Sequence, residues 1–138
     1  MTYKLTIVQK PTYLHAVVTG RNTRENVERY VEDVIRECSA RNCRRVLIEE
    51  RLKGRRLETL DVFELVSKGS SRFLGKLKEV AFVDVNAKGD LMHFAETVAR
   101  NRAFPLTVFP TVGAAEKWLL RQDQSGTGPS GSRPPPQR

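Results

Sequence analysis

The fold turns on residues 22–49, NTRENVERYVEDVIRECSARNCRRVLIE. Val27, Tyr30, Val31, Val34, Ile35 and Cys38 recur there at helical spacing and form one apolar stripe. Asn22 is placed to cap the helix start, with Glu25 three residues on as a capping box requires. Glu25 with Arg29, and Glu32 with Arg36, make favourable i,i+4 pairs on the wet face. The helix should stop near Arg41-Asn42. Arg45-Val46-Leu47-Ile48-Glu49 follows as a short apolar run of the kind that forms a strand buried in a parallel sheet.

Upstream, Tyr3 to Ile7 alternates with period two, and Tyr13 to Thr19 is rich in strand formers before Gly20. Pro11-Thr12 lies in the turn between them, so the two should pair as a hairpin. Downstream, Arg51 to Glu58 reads as a polar, basic loop. A short helix over Val62, Phe63, Leu65 and Val66 is capped by Asp61 and broken by Lys68-Gly69-Ser70-Ser71. Val80 to Val85 is a further strand, and Asp90 caps a helix carrying Leu91, Phe94, Ala95, Val98 and Ala99. Pro105 to Phe109 is the last strand, and Thr111 caps a last helix with Val112, Ala115, Trp118 and Leu119 inward. The expected order is β-β-α-β-α-β-α-β-α, an α/β fold with a mixed, mostly parallel sheet and covering helices.

The 138 residues suit one domain over 1–121. Residues 122–138, QDQSGTGPSGSRPPPQR, offer nothing apolar to anchor and read as a disordered Gly/Ser/Pro tail. The start lacks the long apolar segment of a signal peptide, and no run approaches a membrane span. A cytoplasmic protein with no membrane partner is expected. Cys38 and Cys43 form no zinc pattern, and His15 and His93 have no ligand-spaced neighbours, so neither a metal nor another cofactor is expected.

The hydrophobic pattern resembles the STAS (anti-sigma-factor-antagonist-like) domains, in particular the small stand-alone bacterial type. Val17, Gly20, Arg45 to Glu49, Phe94-Ala95-Glu96, Val108-Phe109, Ala115 and Trp118-Leu119 carry the likeness, which covers about residues 3–121. It implies regulation through a partner protein or small ligand rather than catalysis. Members of that family are switched by phosphorylation in an Asp-Ser-Ser-Gly-type motif. The matching stretch here, Glu49 to Asp61, has no such motif, so no phosphoacceptor carries over.

No P-loop, G-x-G-x-x-G or G-x-S-x-G is present. Glu49-Glu50 sits at a strand end, but Arg51 and Lys53 beside it should lower carboxylate pKa values, so it reads as a surface ion-pair cluster rather than an acid–base pair. No enzyme is expected. Between residues 41 and 56 stand seven cations: Arg41, Arg44, Arg45, Arg51, Lys53, Arg55 and Arg56. Arg forks suit acidic partners, so Arg51, Lys53, Arg55 and Arg56 are the candidate partner-binding residues. No aromatic residue lies in that stretch to stack a base, which leaves a nucleic-acid role without its second signature. Thr59, at a helix start after Arg55-Arg56, is the candidate regulatory phosphoacceptor; a cap is its plainer role. The expectation is a non-enzymatic domain that binds a partner protein, with homodimer formation left open. The alternatives are a binder of a small anionic or apolar ligand at the strand C-termini, and a nucleic-acid-associated protein.

Overall fold

A computed structural model describes residues 3–54, 57–73, 76–84, 89–102 and 104–125, without the side chains of 70–73, 89–92 and 122–125. The expected order of elements is observed. β1 (Tyr3–Gln9) and β2 (Leu14–Arg21) form an antiparallel hairpin, closed by a bond from Lys10 N to Tyr13 O of 2.9 Å. Then come α1 (Arg24–Ala40), β3 (Arg45–Lys53), α2 (Thr59–Phe73), β4 (Glu79–Asp84), α3 (Gly89–Asn101), β5 (Leu106–Val108) and α4 (Val112–Ser125). The sheet order is β1-β2-β3-β4-β5, parallel from β2 onward.

That order decides the layers. Each parallel strand is laid beside its predecessor in one direction. Crossovers of one hand must then put their helices on one face. Accordingly Tyr30, Val34, Ile35 and Cys38 of α1 pack with Leu14, Ala16, Val18, Val46, Ile48 and Val80. The other face is left to α4, whose Ala115 and Leu119 pack with Tyr13, Leu47, Ala81 and Val83. Arg45, 9% exposed, anchors α4: it pairs with Glu79 at 2.8 Å and donates to the carbonyl of Leu119.

Several local expectations are corrected. The cap of α1 is Thr23, not Asn22; the Asn26 backbone N–H donates to Thr23 Oγ1 at 3.1 Å. Asn22 is instead buried, its backbone N–H donating to the Lys53 carbonyl at 2.7 Å. α2 does not stop at Lys68-Gly69-Ser70-Ser71 but runs through to Phe73. Its start lies at Thr59, so Asp61 is in the first turn, paired with Arg24 at 3.3 Å, rather than a cap. Asp90 falls inside α3, which opens at Gly89. Thr111 does cap α4, accepting from Ala114 N at 3.1 Å. Helix α4 continues to Ser125, past the expected domain edge at 121, and residues 126–138 lie outside the described ones.

Candidate functional site

The described helix faces leave space unfilled beneath α2. Val31, Val34 and Ile35 of α1, Val62, Leu65 and Val66 of α2, and Val80, Phe82 and Leu106 of the sheet surround a cavity of about 150 Å³. Helix α2 forms its roof, held to its neighbours by polar contacts at its margins. Arg24 pairs with Asp61 and Glu64, Lys68 with Glu28, and Arg102 donates to Ser67 Oγ at 2.8 Å while its guanidinium lies 5.4 Å from the Phe63 ring. Exposed ion pairs of this kind each contribute at most about 1 kcal/mol.

One end of the cavity is polar. Glu50, in the C-terminal half of β3, is the register partner of Asp84, the last residue of β4; ligands gather toward this end of the strands in parallel α/β sheets. The Tyr30 hydroxyl, fully buried, donates to Glu50, itself 5% exposed. Burial first, and then the negative charge of Glu50, hold the Tyr30 pKa well above its ordinary value. The phenol therefore keeps its proton. Asn22 completes this end.

A smaller groove of about 40 Å³ lies along the seam between α1 and α2 and shares Val27, Val31, Leu65 and Gly69 with the cavity. A methyl group built on Gly69 would meet nothing within 4 Å. Helix interiors disfavour glycine by roughly 0.5–1 kcal/mol relative to alanine, so the missing side chain leaves room at the seam at some cost in stability.

The site residues expected from sequence that are described lie elsewhere. Arg51 and Lys53 are on β3 itself, not in a loop, and face away from the cavity. Glu49 and Glu50 are not a surface cluster. Both are buried, and as consecutive strand residues they point to opposite faces. Glu49 receives Arg51 Nε at 2.7 Å and lies 2.9 Å from His15 Nε2. Burial works to raise its pKa, but the bonds from Arg51 and His15 prevail and hold it below the ordinary value. Arg55 and Arg56 lie outside the described residues. Thr59 is exposed and is the first residue within α2; the Val62 amide bonds to the Glu58 carbonyl at 3.1 Å, so Glu58, not Thr59, occupies the cap position. The described cations of this stretch do not all converge: Arg41 pairs with Glu37 at 3.0 Å and Arg45 is buried under α4.

Among the described residues, no three His, Cys, Asp or Glu side chains are grouped to hold a metal ion, and no helix is long and apolar enough to cross a membrane. The chain matches no family model and no curated protein sequence.

Proposed function

We propose that the chain is a non-enzymatic binding domain of STAS-like build, and that it holds a small, mainly apolar molecule beneath α2. The observation that carries this reading is the cavity of about 150 Å³ lined by Val, Leu, Ile and Phe side chains. Close packing leaves few such voids in a protein interior. An engineered apolar cavity of about 150 Å³ stays dry and takes up benzene. Binding is supported over acid–base chemistry because the Tyr30 proton is retained and engaged by Glu50. The apolar ligand weighed from sequence, rather than the anionic one, is favoured by the Val, Leu, Ile and Phe walls that make up most of the lining.

Indole, one bicyclic aromatic body, is a suitable probe. A ligand at one hundred times its dissociation constant stabilises a fold by about 2.7 kcal/mol, so saturating indole should raise the melting temperature by several degrees. An unchanged Tm in saturating indole would remove the reading.

A second reading keeps the partner protein. Lys4, Thr19 and Arg51 share one sheet face by register, as do Arg21 and Lys53. Among the described helices only α4 packs on that face, over β3 and β4, which leaves this basic strip uncovered. An acidic protein suits it. Replacing Lys4, Arg21 and Lys53 by Ser should weaken such an association and flatten its salt dependence.

A further inference from the structure

The C-terminus of α1 brings the two cysteines of the chain together. Asn42 adopts a positive φ of 53° just past the helix end, a conformation that asparagine tolerates better than most residues. The backbone N–H of Asn42 donates to the Ser39 carbonyl at 3.1 Å, and that of Cys43 to the Cys38 carbonyl at 2.9 Å. This pair of bonds is the Schellman motif, in which the residue after the left-handed one folds back onto the last turn of the helix and their side chains meet. Here both of those residues are cysteines. With the Cys43 N–H held at 2.9 Å from the Cys38 carbonyl, standard bond lengths keep the two Cα atoms within about 6.8 Å, a separation that a disulfide spans. Both side chains pack in the same core cluster, and both thiols are free.

The two sulfurs are not equivalent. Burial, then the neighbouring Cys43 and Glu37, push the Cys38 thiol up to about 12, so it keeps its proton at neutral pH. Cys43 is partly exposed, and its thiol donates to the Arg45 carbonyl at 3.4 Å, a weak bond. We propose that Cys38 and Cys43 form a reversible oxidation site, closed to a disulfide by hydrogen peroxide. The Cys43 sulfur attacks one peroxide oxygen, the O–O bond breaks, and the departing hydroxide takes the thiol proton as water. The Cys38 sulfur then attacks the sulfur of the Cys43 sulfenic acid. An S–S bond forms, the S–O bond breaks, and a second water carries away the Cys38 proton. The two thiols lose two electrons in all, and the peroxide is reduced to water. The closed bond ties the last turn of α1 to the approach to β3, about one helical turn after Ile35, which lines the cavity.

Intact-mass spectrometry of the full chain in dilute hydrogen peroxide tests it. A monomer lighter by two hydrogens is expected, with peptide mapping placing the bond between Cys38 and Cys43 and a thiol reductant restoring the original mass. Cys38→Ser should stop at the sulfenic acid, trapped on Cys43 by dimedone. Asn42 is exposed and tests the geometry. Asn42→Gly keeps the positive φ and should keep the rate of closure, whereas Asn42→Val, β-branched and disfavoured there, should slow it several-fold. An unchanged mass, over-oxidation to sulfinic acid, or disulfides joining separate chains would overturn the assignment. So would closure in Asn42→Val as fast as in the unaltered chain.

Discussion

The Tyr30 hydroxyl donates to Glu50 across the inner end of the cavity, joining the middle of α1 to β3 twenty residues further along the chain. The bond serves both partners. It satisfies a phenol with no exposure to water and gives a donor to a carboxylate that is 5% exposed. Removing one partner of a buried pair leaves the other desolvated, at about 1–3 kcal/mol. Tyr30→Phe is therefore expected to lower unfolding free energy by roughly that amount in urea titration. An unaltered midpoint would mean that Glu50 does not depend on this donor.

Gly69 gives a prediction of opposite sign. A methyl group there meets nothing within 4 Å, and glycine in a helix interior is unfavourable. Gly69→Ala should stabilise the domain by about 0.5–1 kcal/mol. Gly69→Leu should instead extend into the seam between α1 and α2 and weaken indole binding. A destabilising Gly69→Ala, measured by thermal melting, would show that the helix or the space around it differs from this account.

The Glu49 carboxylate makes stability depend on acid. Its folded pKa lies below the ordinary value of 4.5 because Arg51 and His15 outweigh the effect of burial. A depressed carboxylate pKa contributes stability that is present above the unfolded value and is lost as pH falls through the folded one. The loss should thus occur below about pH 4.5. Glu49→Gln should flatten that part of the stability-versus-pH curve and leave its neutral region lower. If the acid limb is identical in the variant, the bonds from Arg51 and His15 do not hold in solution.

Trp118 tests the opposite face. It is half-buried against the α4 cluster, its ring 5.3 Å from that of Phe109. Trp118→Ala should cost about 3 kcal/mol, the low end of the range for large aromatic truncations, because part of the ring is already in water. It should leave indole binding unchanged, since the cavity lies across the sheet. Loss of both together would mean that the two layers are not independent.

Much of the fold is legible in the residues because each core face repeats with the period of its element. Tyr30, Val34 and Cys38 mark the buried stripe of α1, and Val46 and Ile48 share the same sheet face. The length of α2 was not legible. Gly69 carries a real local penalty, which is overridden where α2 packs between α1 and α3. The roles of Glu49 and Glu50 were hidden for another reason. Alternation shows that neighbours on a strand part company, but not that both faces bury them, because the partners His15 and Tyr30 come from other elements. A cavity is harder still. It is the space that Val31, Leu65 and Val66 fail to fill, set by how α2 is held at its margins. The only local trace of it is a glycine inside a helix, which reads equally well as a stop.

The central claim is that this space receives a ligand. Spectra of protein labelled with ¹³C in the methyl groups of Ile, Leu and Val test it most directly, in a titration with indole. Saturable shifts are expected at Val31, Ile35, Leu65, Val66 and Leu106, which line the cavity. Leu47 and Leu119, on the far side of the sheet, should stay in place. Shifts scattered over both faces, or none at the five lining residues at saturating indole, would contradict the account.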